Sequence, residues 1–311
     1  MILCVLGPTA SGKTDLAIRL ALHLNGEVVS CDSMQIYRGM NIGTAKPTKD
    51  EQQGIPHHML DVADPSEPYS AAQYAAQASA CIEEIISRGR LPIICGGTGL
   101  YLKVLLYGIH ESGASDQISR KELSERAKRE GLPSLYAELA DIDPISAARI
   151  SPNDGRRLVR ALEVYQASGI PLSKHHELSQ LAPARYEALL LGISFSDRTL
   201  LYQQIDRRVD LMMAAGLFAE VRTILEQIPP PCHTAMQAIG YKEFAAVLRG
   251  EISIETAVSQ IKQSSKRFAK RQMTWFRKTP GIHWLQTCGI NQTPSLFEQA
   301  KAVLDSKKSD F

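Results

Sequence analysis

The chain has 311 residues, 35 of them basic and 33 acidic, for a formal charge of +2. That length can bury a large core, as one domain with an insertion or as two domains, and the charge balance excludes a protein that is polybasic or polyacidic throughout. A hydrophobic content of 44% with 22% charged residues is ordinary for a soluble globular protein, and the six cysteines (Cys4, Cys31, Cys81, Cys95, Cys232 and Cys288) form no C-x-x-C pair, which argues against a zinc ribbon or a disulfide framework and for a reducing cytoplasm.

The first predicted element is a buried strand, Ile2-Leu3-Cys4-Val5-Leu6, too short to span a membrane. It runs into Gly7-Pro8-Thr9-Ala10-Ser11-Gly12-Lys13-Thr14, which fits G-x-x-x-x-G-K-[ST] and leads into the amphipathic helical pattern from Asp15 onward. The two glycines let the backbone wrap closely around an anion, and the amides at the helix start point at it. Lys13 would add a point charge to phosphate oxygens and the Thr14 hydroxyl would hold a magnesium ion. This loop is built to grip a di- or triphosphate, without saying which compound carries it.

Glu27-Val28-Val29-Ser30-Cys31-Asp32-Ser33 reads as a second buried strand ending in a carboxylate. Ligands of open α/β sheets bind at the carboxyl ends of strands, so Asp32 would lie beside the phosphate loop if this strand neighbours the first. There it can hold magnesium through water, take a proton from a nucleophile, or merely cap a turn. The following stretch to Pro47, with Gly39 and Gly43, predicts an ordered loop over the site. Adjacent His57 and His58 would point to opposite faces of a strand, which favours structural or hydrogen-bonding roles over one shared ion. Ser70 is the expected cap of a helix over 71–87. The apolar strand Leu91-Pro92-Ile93-Ile94-Cys95 ends without the acidic residue that ordinary P-loop enzymes place there. It gives instead Gly96-Gly97-Thr98-Gly99, either a bare tight turn or a close approach to a ligand with the Thr98 hydroxyl exposed.

From about Ser112 the texture changes to short charged helices, predicted at 119–130, 133–140, 144–150 and 154–167. No strand-like run intervenes until Ala188, so 113–187 reads as a helical insertion into a core formed by 1–112 and 188–311. Arg156, Arg157 and Arg160 crowd one helix start against its dipole, which calls for an external anion or for the nearby acids Asp154 and Glu163. After the strand at 188–195 come a helix carrying Asp206, Arg207, Arg208 and Asp210, a core-like stretch broken by Gly216, and a stiff break at Pro229-Pro230-Pro231. The last long helix, 254–278, holds a basic run. No acid occurs between Glu255 and Glu298, while Lys262, Lys266, Arg267, Lys270, Arg271, Arg277 and Lys278 all lie in it. Ile261, Phe268 and Trp275 repeat every seven residues and are expected to pack inward, leaving a phosphate-backbone footprint on the remaining surface.

Together, the phosphate loop, Cys31 to Tyr37 with Gly43 to Pro47, Pro56 to Asp61, Gly96 to Tyr101, Arg157 to Glu163, Ile239-Gly240-Tyr241 and Lys270 to Trp275 resemble, in this order, the tRNA dimethylallyltransferases of the compact bacterial form. The resemblance implies a P-loop NTPase-like α/β core with a mostly parallel sheet and an all-helical insertion domain that meets the anticodon arm. It implies transfer of a dimethylallyl group from dimethylallyl diphosphate to the exocyclic amine of the adenosine 3′ of the anticodon, with Mg2+ as cofactor and no obligate protein partner. Gly7 to Thr14 would bind the diphosphate, Asp32 would be the general base, and Thr98 would sit near the adenosine. Arg208 would touch the diphosphate, with neighbouring Arg207 leaving the register open. The tRNA-contacting segments carried over are Asp32, Ser33, Met34 and Gln35; Arg156, Arg157, Leu158, Val159 and Arg160; Gln237, Ala238, Ile239, Gly240, Tyr241 and Lys242; and Lys270, Arg271, Gln272, Met273, Thr274, Trp275, Phe276 and Arg277. A small-molecule kinase would use the same loop, and a prenyltransferase of free AMP the same chemistry. The basic helix speaks against both.

Overall fold

A computed structural model describes residues 1–108, 117–181, 183–227, 234–289 and 293–307. The chain divides into two compact units, Met1–Leu105 with Tyr186–Phe311, and Leu106–Arg185. The break at Pro229-Pro230-Pro231, Cys232 and the texture change at 112–113 lie outside the described residues.

The larger unit is built on six parallel strands: β1 (Ile2–Leu6), β2 (Gly26–Cys31), β3 (His57–His58), β4 (Leu91–Gly96), β5 (Ala188–Phe195) and β6 (Ile282–Thr287), in the order β3-β2-β4-β1-β5-β6. Every residue of β1 and β2 is buried, as expected for strands covered on both faces. Strand β2 does not neighbour β1, because β4 lies between them. Register compensates for this. Leu6 and Cys31 both pair with Gly96, so the three strands end level and their loops leave at one edge of the sheet. A β-carbon on Gly96 would run into the Cys31 carbonyl, so glycine is needed for so close an approach.

Helices α1 (Lys13–Leu24) and α2 (Ala71–Ser87) follow β1 and β3. The cap at Ser70 forms as expected: its side chain accepts from the Gln73 amide while the Gln73 side chain accepts from the Ser70 amide. Helix α3 (Gly99–Tyr107) leads into the smaller unit, which holds α4 (Gln117–Glu130), α5 (Leu132–Ile142), α6 (Pro144–Ala147), α7 (Gly155–Ser168) and α8 (Leu172–Leu181) around Leu123, Leu135, Leu139, Leu158 and Leu162. Helix α8 is an addition to the elements expected from sequence. Its run Ser173-Lys174-His175-His176-Glu177 carries no apolar periodicity.

The larger unit resumes with β5, α9 (Arg198–Ala214), α10 (Leu217–Gln227), a 3₁₀ turn (Ala235–Gln237), α11 (Tyr241–Leu248), α12 (Ile254–Phe276), β6 and α13 (Thr293–Ser306). The break between α9 and α10 falls at Gly216, whose φ of 95° few other residues tolerate. One core joins α1, the sheet and α13 through Leu16, Leu20, Ile93, Leu191, Leu285 and Leu296. A second joins α9 to α12 with the loop after β2 through Ile36, Tyr37, Met40, Val221, Tyr241, Phe244 and Ile261.

The two adjacent histidines diverge. His58 Nε2 lies 2.6 Å from a carboxylate oxygen of buried Glu27, while His57 Nδ1 lies 2.9 Å from the Ile55 carbonyl. Arg88 also reaches Glu27, at 2.8 Å. Burial works to raise the Glu27 pKa, but the hydrogen bonds from His58 and Arg88 and their charges outweigh it and hold the carboxyl below its ordinary value.

Candidate functional site

The loop of residues 7–12 wraps tightly, with Ala10 at φ 63° and Gly12 at φ 80°, and no side chain caps the start of α1. A β-carbon on Gly7 would meet the Ser11 hydroxyl at 2.7 Å, so the loop closes on itself only with glycine there. Ser11 Oγ is buried without a hydrogen-bond partner among the described residues. An uncapped helix start beside an unsatisfied buried hydroxyl is a donor set waiting for an anion.

This loop opens on a cavity of about 250 Å³ within the larger unit. Its polar wall includes Thr9, Lys13, Thr14, Asp32, Arg208 and Arg271, and its apolar wall includes Ile205, Val209, Met212, Leu217, Ile261 and Phe268. Arg208 is half-buried and lines the cavity, whereas Arg207 is exposed and does not. Burial lowers the pKa of Lys13, and the Arg208 charge lowers it further, while Cys95 and Asp32 act in the opposite sense. Burial likewise lowers Arg208, opposed by the charges of Asp32 and Glu51. Two poorly hydrated cations facing one space favour a multiply charged anion between them.

Asp32 Oδ1 accepts from the amides of Met34 at 2.9 Å and Gln35 at 3.4 Å, and Oδ2 accepts from no described residue. The carboxylate is thus oriented through one oxygen and open through the other. Thr98 does not line the cavity. Its hydroxyl accepts from the Ser33 amide at 3.0 Å and its own amide donates to the Cys31 carbonyl at 3.1 Å, so it braces the turn that carries Asp32. Gln35 joins Ser30 Oγ to the carbonyls of Thr44 and Ala45, which pins the 43–45 loop to the cavity rim.

Cys95 sits where a magnesium-holding acid is usual, but burial pushes its thiol up to about 11, against the opposing pull of Lys13 and a hydrogen bond with Thr14, so it is a neutral thiol and a poor ligand. No trio of His, Cys, Asp or Glu suited to a metal occurs among the described residues. The donors that fit a hard cation are the Thr14 hydroxyl and Asp32, which also share a side chamber of about 20 Å³ with Lys13 and His57, room for about one water.

Several residues expected to contact RNA are placed differently. Gln272, Tyr241 and Phe276 are buried, as are Leu158 and Val159 in the helical unit's own core. Trp275 does not pack inward but is 42% exposed, laid against Gly99, where a β-carbon would collide with the indole. A heptad spacing drifts around a 3.6-residue helix, which carries Trp275 off the stripe of Ile261 and Phe268. Lys262 and Lys266 are taken up by Asp210 and Asp206 of α9, at 2.6 Å and 2.7 Å. Arg267, Lys270, Arg271, Thr274, Arg277 and Lys278 are exposed and Met273 is half-buried. On α7, Arg157 pairs with Asp154 and Arg160 with Glu163, which leaves Arg156 with no ion pair among the described residues. Gln237, Ala238, Ile239 and Lys242 line the cavity, and Gly240, at φ 98°, starts α11.

Glu220 has no counterpart among the residues expected from sequence. Its carboxylate accepts from the amides of Asn41, Ile42 and Gly43 at 2.7 to 3.0 Å and from the Tyr241 hydroxyl at 2.5 Å. It anchors the loop that supplies Gly43 to the cavity. No local signal marks it, since its amide partners are 177 to 179 residues away.

A parallel sheet with a phosphate loop after its first strand and a carboxylate-bearing turn at the same edge defines a P-loop-type α/β enzyme. The IPP transferase family profile matches residues 35–279. A tRNA dimethylallyltransferase of Geobacter metallireducens is 48% identical over 92% of both chains, and one of Geobacillus kaustophilus is 46% identical over 97% of this chain and 96% of its own. The full-length tRNA isopentenylpyrophosphate transferase of Bacillus halodurans superposes with a TM-score of 0.73 at 38% identity, over 99% of this chain and 97% of that one. A eukaryotic dimethylallyltransferase acting on tRNA superposes with a TM-score of 0.83 at 29% identity, over 99% of this chain and 79% of that one. The chain belongs to the IPP transferase family and is a transferase.

Proposed function

We propose that this enzyme transfers the dimethylallyl group of dimethylallyl diphosphate to the exocyclic amine of the adenosine immediately 3′ of the anticodon in tRNA, releasing diphosphate. The observation that carries this reading is a single cavity that joins a phosphate loop, two cations and an open carboxylate to an apolar wall. The polar wall suits a diphosphate, and Ile205, Val209, Met212 and Phe268 suit a five-carbon chain better than a second nucleotide.

In the reaction the amine nitrogen forms a bond to C1 of the donor as the C1–O bond breaks, and the electron pair of that bond leaves with the diphosphate. Lys13, Arg208 and the loop amides stabilise the charge growing on the leaving group. The proton from the amine passes to the open oxygen of Asp32, whose other oxygen is held by the Met34 amide. Magnesium, when bound, neutralises diphosphate charge; Thr14 would hold it together with diphosphate oxygens and water. The adenine must leave its stack to enter the cavity. The exposed bases of α12, Arg156 of the helical unit and exposed Trp275 supply phosphate and stacking contacts that would hold the loop open. No helix among the described residues is long and apolar enough to cross a membrane, and the proposed site of action is the cytoplasm, where tRNA is the macromolecular partner.

The test is incubation with labelled dimethylallyl diphosphate or labelled ATP, with tRNA or AMP as acceptor. Transfer from the prenyl donor to tRNA alone is expected; transfer from ATP, or equal use of AMP, contradicts the proposal. Asp32→Asn keeps the turn acceptor but lowers basicity, and is expected to cut turnover by about 10²-fold or more with tRNA binding intact.

A further inference from the structure

Helix α12 presents a basic outer face, yet its inward stripe contains one polar residue between Ala269 and Phe276. Gln272 is 5% exposed. A buried amide is tolerated only when its donors and acceptor are engaged, and here both ends are used on the site itself. Oε1 accepts from the amide of Thr9 in the phosphate loop at 2.9 Å, and Nε2 donates to the carbonyl of Gly97 at 3.0 Å. The approach is so close that a β-carbon on Gly97 would overlap Nε2. Gly97 is followed by Thr98, whose amide and hydroxyl hold the residues on either side of Asp32.

We propose that Gln272 is a positioning residue that sets the separation between the donor-binding loop and the turn that carries the base. One side-chain amide spans the two backbones: Thr9 belongs to the diphosphate cradle, and Gly97 begins the brace that runs through Thr98 to Asp32. No other described side chain is hydrogen-bonded to both segments. Because the amide is carried by α12, the helix that presents the exposed cations, the two reacting groups and the RNA-facing surface share one rigid element. This inference rests on the transfer reaction proposed above. A shift of about 1 Å between reacting partners is enough to cost on the order of 10²-fold in rate.

The test compares wild type with Gln272→Met and Gln272→Glu, with folding checked first by circular dichroism and thermal melting. Gln272→Met keeps the shape and loses both hydrogen bonds. It is expected to lower kcat by about 10²-fold while KM for tRNA stays within about threefold, since no RNA contact is removed. Gln272→Glu keeps an acceptor for Thr9, but as a carboxylate it has no donor for Gly97; protonated, it has an O–H that can donate there and mimics the amide. Its kcat relative to wild type is therefore expected to rise as the pH is lowered, a response that simple packing would not give. If Gln272→Met fails to fold, the pH profile of Gln272→Glu decides. A wild-type kcat in Gln272→Met, or a variant-to-wild-type ratio for Gln272→Glu that is flat with pH, overturns the positioning role. Failure of wild type itself to prenylate tRNA overturns the proposed reaction instead.

Discussion

Arg207 and Arg208 are adjacent and chemically identical, so replacing each separately tests the site geometry rather than composition. Only Arg208 lines the cavity, half-buried, with burial lowering its pKa and Asp32 and Glu51 opposing; Arg207 is exposed on the outer face of α9. A preorganised donor aimed at a developing anion in a poorly hydrated site contributes roughly 3 to 4 kcal/mol to the transition state, which sets a loss of about 10²- to 10³-fold in kcat for Arg208→Ala. The loss is not complete, because removing Arg208 also lifts one influence that lowers the Lys13 pKa, so Lys13 holds its proton more firmly. Arg208→Lys keeps the charge without the planar fork and should recover part of the rate. Arg207→Ala, a surface change, should stay within about twofold. Steady-state prenylation of an anticodon stem-loop with labelled donor measures all three. Equal losses for Arg207→Ala and Arg208→Ala would refute the assignment of Arg208 to the leaving group.

Glu220→Gln replaces one acceptor oxygen by an NH₂ group in a carboxylate that takes three amides and a hydroxyl, leaving a half-buried donor unsatisfied at about 1 to 3 kcal/mol. Thermal melting should show the loss, and KM for the donor should rise as the 43–45 loop loosens; unchanged values for both would remove Glu220 from the site. For α12, Lys270→Gln and Arg267→Gln should each reduce the salt slope of tRNA binding by about 0.7 to 0.9, while Lys262→Gln, whose charge is already paired with Asp210, should change it much less. Equal slopes for all three variants would argue against a phosphate footprint on the exposed face. The folded-state pKa of Glu27 is depressed, so its contribution to stability is complete above its ordinary pKa of 4.5 and is lost as the pH falls through the lower folded value. The gap in melting temperature between wild type and Glu27→Gln should therefore be widest near neutrality and shrink below about pH 4.5. A gap that widens in acid contradicts the ion-pair account.

The phosphate loop was legible because its chemistry is local: glycines, lysine and threonine at fixed spacing between an apolar run and a helical period. Strands β1, β4 and β5 announced themselves as largely apolar runs, and β2 as a short one around Val28-Val29 that ends before Asp32. Strand β6, an edge strand reading Ile-His-Trp-Leu-Gln-Thr, and polar helix α8 did not, since neither is buried on all sides. The position of β4 between β1 and β2 was equally hidden, because strand order is decided by crossovers and not by composition. Asp32, Arg208 and α12 could be singled out by charge and position, but their meeting in one cavity could not. Glu220 carried no local mark, and Gln272 was marked only as part of an RNA-contacting segment. Their backbone partners are 177 to 179 and 175 to 263 residues distant, and the physical reason for each residue exists only once the loops meet. Trp275 shows the reverse error, where a seven-residue spacing suggested a core position that the turn of the helix moves to the surface.

The most direct test of the central claim is mass analysis of nucleosides from a tRNA whose anticodon is followed by adenosine, after incubation with the enzyme, magnesium and dimethylallyl diphosphate. The account predicts a single adenosine that gains one dimethylallyl group in place of one amine hydrogen, at the position 3′ of the anticodon, with one diphosphate released per modification. Unmodified adenosine at that position, or a phosphorylated product in its place, would contradict it.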